Sequence, residues 1–204
     1  LKDTVQGEIS IRKAAFDRKT KETDITASID LDGSGVAEID TGIGFFDHML
    51  TALAVHSGAD LKVKCKGDLN VDGHHTVEDV GIVLGKMLSE ALGDCKGIAR
   101  YSCAYVPMDE ALVRCVMDVS GRAYLSYDKG ALAGMVGAYD TALTVEFFRA
   151  VCTNAMITVH IDTLKGDNAH HICEAMFKAF TRALGEAVRP TGGRLLSTKG
   201  KIGS

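Results

Sequence analysis

The sequence predicts an α+β fold made of two copies of a βββαβα unit. The first observation behind this is a repeated motif, since His74-His75 is followed by Glu78 and His170-His171 by Glu174 at the same spacing. The second is the order of strand-like and helix-like segments, which is the same in both parts of the chain. Because self-similarity at a fixed shift indicates an internal duplication, we expect half-repeats at residues 1–95 and 96–204.

A shift of 96 residues, from His74 to His170, relates the two motifs. The same shift aligns two further pairs of segments, which are Leu88-Ser89-Glu90-Ala91 with Leu184-Gly185-Glu186-Ala187, and Ala54-Val55 with Ala150-Val151.

In the first half, apolar and polar residues alternate over 8–16 and 24–32, which is typical of half-buried strands. Asp32-Gly33-Ser34-Gly35 is a turn sequence before a short strand at 36–40. Apolar residues then recur at helical spacing, alternate once more, and return to helical spacing up to the stop signal Gly93. These patterns predict a helix at 45–53, a strand at 61–65 and a helix at 75–92.

The second half predicts the same order of elements. Strands are expected near 101–107, 110–119 and 122–127, followed by a helix at 141–153, a strand at 156–163 and a helix at 171–188. Helices would pack on largely antiparallel sheets.

The composition excludes several classes of protein. The chain has 23 Lys+Arg and 27 Asp+Glu, a net charge of −4, and its basic residues are scattered, so we expect no nucleic-acid partner. No run approaches the roughly 18 apolar residues of a membrane helix, so we expect no membrane partner. The six cysteines lack metal-site spacing, and we expect buried, reduced thiols in a cytoplasmic protein.

The paired motifs have the chemistry of a metal site. Residues three and four apart share a helix face, so Glu78 can converge with His74 or His75, and Glu174 with either histidine of its own pair. Adjacent histidines point about 100° apart and would serve two ions rather than one. Imidazole and carboxylate ligands suit Mn²⁺, Fe²⁺ or Zn²⁺. The alternative is that these are solvated residues at helix starts.

Two other segments allow more than one interpretation. His48 opens an apolar helix, where a lone histidine is either a core residue or a ligand. The segment Ser197-Thr198-Lys199-Gly200-Lys201 combines hydroxyls and cations, and it is either a frayed tail or a cradle for an anion such as phosphate.

Taken together, five segments resemble the imidazoleglycerol-phosphate dehydratase family of histidine biosynthesis, and the resemblance extends over residues 6–203. The segments are Asp40–Leu50 (DTGIGFFDHML), Asp72–Val80 (DGHHTVEDV), Val106–Leu112 (VPMDEAL), His170–Ala179 (HHICEAMFKA) and Ser197–Gly200 (STKG).

The resemblance implies a duplicated fold of the ribosomal-protein-S5 second-domain type and a 24-mer whose metal sites lie between subunits. It also implies two Mn²⁺ ions per active site. One ion would be held by His74, His170 and Glu174, and the other by His48, His75, His171 and Glu78. Where plant members of the family have a further histidine, this chain has Glu146, and we expect this carboxylate to replace it as a ligand.

The implied reaction removes water from imidazole glycerol phosphate to give imidazole acetol phosphate. The C–H bond to be broken lies next to no carbonyl, so the imidazole ring must relay the electrons, and metal ions on the ring nitrogens would stabilise the charge. Glu22 and Glu174 are the candidate proton-transfer groups, and the sequence does not choose between them. By its own pattern, Glu22 is an exposed charge at a strand start.

By family position, the substrate phosphate would be bound by Arg100, Arg122, Lys178, Ser197 and Lys199. Lys178 lies eight residues after His170, roughly 12 Å along a helix, which spans a small phosphorylated triol. The family's proline before the C-terminal serine is Leu196 here, which alters that loop.

Two other functions fit parts of the pattern. A dinuclear metal-dependent phosphoester hydrolase would use the same histidines, carboxylates and cations. A non-enzymatic RNA-binding module of the S5 type is disfavoured by the net charge of −4 and gives the metal motifs no purpose.

Overall fold

The computed structural model describes residues 12–193 and 195–202, and it contains the duplicated unit. The first copy consists of β1 (Lys13–Lys19), β2 (Thr23–Asp30), β3 (Ala37–Asp40), α1 (Gly44–Ser57), β4 (Asp60–Gly67) and α2 (His74–Leu92). The second copy consists of β5 (Tyr101–Met108), β6 (Ala111–Asp118), β7 (Tyr124–Asp128), β8 (Met135–Val136), β9 (Tyr139–Asp140), α3 (Leu143–Ala155), β10 (Thr158–Lys165) and α4 (Ala169–Ala187). The predicted α+β class and βββαβα order are confirmed.

Each copy forms its own four-stranded sheet with the same topology. The strand orders are β1-β2-β4-β3 and β5-β6-β10-β7. In both sheets the last pair is parallel, β3 with β4 and β7 with β10, and the other neighbours are antiparallel. The parallel pair follows from the helix that connects its strands, because parallel strands need a crossover connection.

Two details differ from the sequence prediction. The hairpin of β8 and β9 is an insertion in the second copy that the sequence did not predict. The shift between copies is therefore not constant, since β2 and β6 start at Thr23 and Ala111, 88 apart, whereas β4 and β10 start at Asp60 and Thr158, 98 apart. The alignment of Ala54-Val55 with Ala150-Val151 is thus not a structural equivalence. The predicted strand at 8–16 corresponds to β1, and its residues 8–11 lie outside the described part of the chain.

The four helices form a layer in which helices from different copies pack in pairs. α2 packs on α3 and on β1 and β2, while α4 packs on α1 and on β5 and β6. Gly81 and Gly85 let α2 approach α3 closely, because a Cβ at Gly81 would lie 2.9 Å from the carbonyl oxygen of Phe147 and one at Gly85 would lie 2.7 Å from that of Val151. No side chain fits at these two positions without moving the helices apart.

All four helices start at the same end of this layer. A Cβ at Gly73, which precedes α2, would lie 3.0 Å from Ile43, which precedes α1, and 3.3 Å from Leu143 in α3. The ring of Phe45 in α1 lies 5.1 Å from that of His170 in α4. We call the surface formed by the first turns of α1, α2, α3 and α4 the N-terminal face.

The hydrophobic core runs between the helices and the sheets as one cluster. Its centre is aromatic and fully buried, and it consists of Phe46, Tyr139, Phe147, Phe148, Phe177 and Phe180. Ring centroids of neighbouring members lie 4.9 to 6.0 Å apart. This packing joins α1, α3 and α4 across the two copies and fixes their first turns relative to one another.

The six cysteines are all free thiols, as the sequence predicts, but only four are buried. Cys103 is exposed on β5 and Cys95 is half-buried, so the expectation of burial is wrong for these two. The described part of the chain has no helix with the length and apolar character needed to cross a membrane.

Candidate active site

The N-terminal face carries all eight side chains that the sequence analysis proposes as metal ligands. Each of the four helices contributes from its first two turns. They are His48 on α1, His74, His75 and Glu78 on α2, Glu146 on α3, and His170, His171 and Glu174 on α4. The fold therefore brings the two repeated motifs to one end of the molecule.

Glu174 connects α4 to α1 at the centre of this face. Its side chain is only 7% exposed, and Oε2 lies 3.0 Å from His170 Nε2 and 3.6 Å from His48 Nε2. The ammonium of Lys178 lies 2.6 Å from Oε1. Burial by itself would raise the pKa of Glu174, but hydrogen bonds from Lys178 and His170 outweigh it and lower the pKa. Both oxygens of this buried carboxylate are thus engaged.

His75 contacts two acids through its two ring nitrogens. Nδ1 lies 3.0 Å from Asp68 Oδ2, and Nε2 lies 3.7 Å from Glu22 Oε1. The hydrogen bond to Asp68 raises the pKa of His75 above its usual value, against a smaller effect of burial. Glu22, one of the candidate proton-transfer groups, is therefore next to a proposed ligand, with its side chain 53% exposed.

His171 has a similar arrangement in the second copy. Nδ1 lies 2.7 Å from Glu110 Oε2, and Nε2 lies 3.7 Å from Asp109 Oδ2. The hydrogen bond with Glu110 raises the pKa of His171. The same bond, with the backbone N–H of Asn168, lowers the pKa of Glu110 to about 2. Glu110 is consequently ionised at neutral pH.

The other proposed ligands make contacts within their own helices. His74 Nε2 lies 3.7 Å from Glu78 Oε2 on α2, and Glu146 pairs with Arg149 on α3. Among the described residues, no three acidic, histidine or cysteine side chains are grouped closely enough to hold a metal ion. Within one chain, Glu174 contacts both His170 and His48. The resemblance assigns His170 and Glu174 to one ion and His48 to the other.

Four of the five proposed phosphate-binding residues line one cavity at the opposite end of the helix layer. This cavity of about 790 Å³ is lined by Arg100, Arg122, Ser197 and Lys199, together with Leu196 and others. The backbone N–H of Arg100 donates to the carbonyl of Ala187, the last residue of α4. Ala187 lies seventeen positions after His170 on the same helix, so the cavity is about 25 Å from the N-terminal face of the same chain.

Within the cavity, Arg100 is largely engaged by the protein itself. Its Nε and Nη2 donate to the carboxylate of Asp118 at 2.8 and 3.3 Å, and Nη1 donates to the carbonyl of Leu196. The contact with Leu196 anchors the C-terminal segment beside Arg122. Arg100 therefore shapes the cavity wall as well as adding positive charge to it.

Lys178, the fifth proposed phosphate residue, is not part of this cavity. Its backbone lies about 12 Å along α4 from His170, as expected, but its ammonium contacts Glu174 on the N-terminal face. The reason is that Lys178 and Glu174 are four residues apart on one helix face, so the flexible side chain reaches back to the buried carboxylate.

Asp68, Asp109 and Glu110 have no predicted role from the sequence, although all three contact a proposed ligand. Asp109 and Glu110 lie within a segment that carried the family resemblance, Val106–Leu112. Asp68 lies in none of the five segments, and no spacing rule links a loop residue to a helix that starts six residues later.

Comparison with known proteins identifies a family and two related sequences. The family model described as "Imidazoleglycerol-phosphate dehydratase" matches residues 41–184. The imidazoleglycerol-phosphate dehydratase of Acetivibrio thermocellus is 55% identical over 193 residues, covering 94% of this chain and 99% of the relative. That of Exiguobacterium sp. is 54% identical with the same two coverages.

Two crystal structures have the same fold. Imidazoleglycerol-phosphate dehydratase from Staphylococcus aureus subsp. aureus N315 superposes with a TM-score of 0.80 at 46% identity, covering 88% of this chain and 99% of that one. The Pyrococcus furiosus enzyme, in complex with (S)-C348, gives 0.79 at 38% identity, covering 91% and 99%. The chain therefore belongs to the imidazoleglycerol-phosphate dehydratase family, whose members are hydro-lyases of histidine biosynthesis.

Proposed function

We propose that this chain is a manganese-dependent enzyme that removes water from imidazole glycerol phosphate to give imidazole acetol phosphate. The observation that carries the proposal is the convergence of two repeated His-His-x-x-Glu motifs, with His48 and Glu146, on one face of the helix layer.

The donor set fits Mn²⁺. It consists of imidazole nitrogens and carboxylate oxygens, and the one cysteine within these motifs, Cys173, is fully buried in the core. Such a set suits a divalent ion of intermediate hardness better than a thiolate-bound zinc ion. His74, His170, Glu174 and Glu146 would hold one ion, and His48, His75, His171 and Glu78 the other. Bound there, Mn²⁺ would supply Lewis-acid stabilisation of charge on the substrate's imidazole ring.

The contacts distinguish the two candidate proton-transfer groups. Glu174 is buried, and its two oxygens are taken by Lys178 and His170, so it is suited to holding a ligand position rather than exchanging protons. Glu22 is half exposed and lies on the Nε2 side of His75, next to the proposed ligands. We therefore assign the proton transfer to Glu22.

A complete active site would need more than one copy of the chain. Arg100, Arg122, Ser197 and Lys199 lie about 25 Å from the N-terminal face of their own chain, and a small phosphorylated triol does not span that distance. The phosphate would instead be bound by this cavity in a second copy. This geometry supports self-association with shared sites, for which the proposed 24-mer is the assembly.

A mixing experiment tests the shared site. We expect Glu22→Gln and Lys199→Ala chains each to lack activity when assembled alone. If sites are shared, co-assembled mixtures contain some sites with an intact Glu22 from one chain and an intact Lys199 from the other, so activity returns. If each site lies within one chain, the mixture stays as inactive as its components.

The alternative of a phosphoester hydrolase uses the same groups and is distinguished by product. With Mn²⁺ and imidazole glycerol phosphate, we expect imidazole acetol phosphate without inorganic phosphate. Release of inorganic phosphate at a comparable rate would contradict dehydration. We also propose a cytoplasmic location, which the six free thiols and the biosynthetic role of the family support.

A further inference from the structure

The second histidine of each pair differs from the first in how it meets a carboxylate. His75 Nδ1 lies 3.0 and 3.1 Å from the two oxygens of Asp68, and His171 Nδ1 lies 2.7 Å from Glu110. The first histidine of each pair instead faces a glutamate of its own helix through Nε2.

This difference determines which nitrogen is available to a metal ion. An ionised carboxylate only accepts hydrogen bonds, so Nδ1 of His75 and of His171 must carry the hydrogen. In the neutral ring, the lone pair is then on Nε2. A carboxylate behind a histidine in this way holds the ring in one orientation and makes the free nitrogen a better ligand.

Glu110 is held by its place in a tight turn and by contacts of both carboxylate oxygens. It lies in the two-residue turn between β5 and β6, where Met108 pairs with Ala111, and its neighbour Asp109 has φ +48, a left-handed conformation that aspartate tolerates better than most residues. Its Oε1 accepts the backbone N–H of Asn168, the residue before α4, at 3.1 Å, while Oε2 contacts His171. Glu110 therefore positions both the start of α4 and the ring.

Asp68 is fixed in a different part of the unit. It follows β4 directly, its backbone N–H donates to the carbonyl of Glu22 at 3.0 Å, and its own carbonyl accepts from Val71 at 2.8 Å. The carboxylate is half-buried, with 24% of the side chain exposed.

In the two copies, the carboxylate that contacts Nδ1 of the second histidine comes from different positions of the unit. Glu22 and Glu110 are equivalent, since each immediately precedes the second strand of its unit. Glu110 occupies the Nδ1 side of His171, whereas Glu22 lies on the Nε2 side of His75, because Asp68 already holds Nδ1 there. The use of Asp68 in the first copy leaves Glu22 free to face the proposed ligands.

We infer that Asp68 and Glu110 are positioning residues that fix the Nδ1–H tautomers of His75 and His171 and so present their Nε2 atoms to the metal ions. The inference rests on the proposed metal site, but the tautomers exist before metal binds and can be measured without it.

Glu110→Gln is the variant that tests the inference most directly. The glutamine amide has one acceptor where two donors, His171 Nδ1–H and the N–H of Asn168, now bind. One contact is lost, or the ring changes tautomer so that Nδ1 accepts from the amide. Asp68→Asn is the counterpart in the first copy. Glu186→Gln is the matched control. Glu186 lies on α4, the helix of His171, but at its far end, and its one ion pair among the described residues is with Arg189.

The first readout is the tautomer of each histidine in metal-free protein labelled with ¹⁵N-histidine and observed by NMR. We expect the Nδ1–H form for His75 and His171 in the wild type. Glu110→Gln changes the signals of His171 alone, and Asp68→Asn those of His75 alone. Unchanged His171 signals in Glu110→Gln would overturn the inference.

The second readout is Mn²⁺ affinity, measured by competition with a chelator. Both variants should bind Mn²⁺ about 10- to 100-fold more weakly than the wild type, while the control binds as the wild type does. If Glu110→Gln binds Mn²⁺ as tightly as the wild type, the inference is wrong but the proposed function is not contradicted. Wild-type protein that binds no Mn²⁺ contradicts the proposed function itself.

Discussion

Lys178 Nζ lies 2.6 Å from Glu174 Oε1, one helical turn back along α4. The carboxylate is almost fully buried and has His170 on its other oxygen. A lysine expected to bind the substrate phosphate thus compensates the charge of a proposed metal ligand before any ligand arrives. The ion pair therefore stabilises the helix layer and also offsets negative charge on the N-terminal face.

Removing this cation should destabilise the metal-free protein. Lys178→Met leaves the buried carboxylate without its closest donor and should lower the free energy of unfolding by about 2 kcal/mol, measured with urea. Arg189→Met is the matched control, since its partner Glu186 is 53% exposed and water screens the pair, so its loss should change stability much less. Equal losses in the two variants would contradict the importance of burial here.

Glu146 tests the ligand that departs from the plant pattern. Glu146→Ala should lower the Mn²⁺ content per chain and the dehydratase activity, because the first proposed site loses one carboxylate. Arg149→Ala is the control, since it removes only the pairing partner of Glu146 and should leave the metal content unchanged. Wild-type metal content and activity in Glu146→Ala would show that Glu146 is not a ligand.

The close approach of α2 to α3 can be tested at Gly85. A Cβ there would lie 2.7 Å from the carbonyl oxygen of Val151 and 3.1 Å from the backbone nitrogen of Ala155. Because backbone cannot move aside cheaply, Gly85→Ala should cost about 1–3 kcal/mol of unfolding free energy despite its better helix propensity. Gly44→Ala, where a Cβ meets nothing within 4 Å, should be neutral or slightly stabilising. A stabilised Gly85→Ala variant would disprove the tight packing.

Asp60 should make stability depend on pH in the acid range. Its Oδ1 accepts the backbone N–H groups of Ser34 at 2.7 Å and Val36 at 2.9 Å, which lower its pKa. The unfolded chain, with an aspartate pKa of about 3.9, is protonated first as the pH falls. The contribution of Asp60 is therefore present above about pH 4 and is lost as the pH falls towards its folded pKa.

The measurement is urea unfolding of wild type and Asp60→Asn at a series of pH values from neutral to about 3. The wild type should lose stability more steeply in the acid range, so that the two proteins converge. Curves that stay parallel throughout would contradict the assignment.

The sequence predicted the duplicated fold because its signals are local and repeated. Alternating and helical patterns such as those of β2 and α2 depend only on which face of an element is buried, so their bounds agree with the structure within a few residues. The hairpin at Met135–Asp140 was missed because its strands are two residues long and bury only Tyr139. Periodicity cannot detect elements of that length.

The grouping of the candidate residues could be predicted along helices and less so elsewhere. Spacing along α2 and α4 indicates which histidine and glutamate share a face. The contacts of His75 with Asp68 and of His171 with Glu110 join a helix to a loop or hairpin, and their geometry depends on how α2 and α4 pack on the sheets. The distance between Lys199 and the N-terminal face likewise follows only from the direction of α4.

The most direct test of the account is the number of Mn²⁺ ions bound per chain, measured by equilibrium dialysis and elemental analysis of the purified protein. The convergence of eight ligands from both copies predicts two Mn²⁺ per chain, and loss of dehydratase activity when a chelator removes them. A ratio of one or less at saturating Mn²⁺, or full activity in metal-free protein, would contradict it.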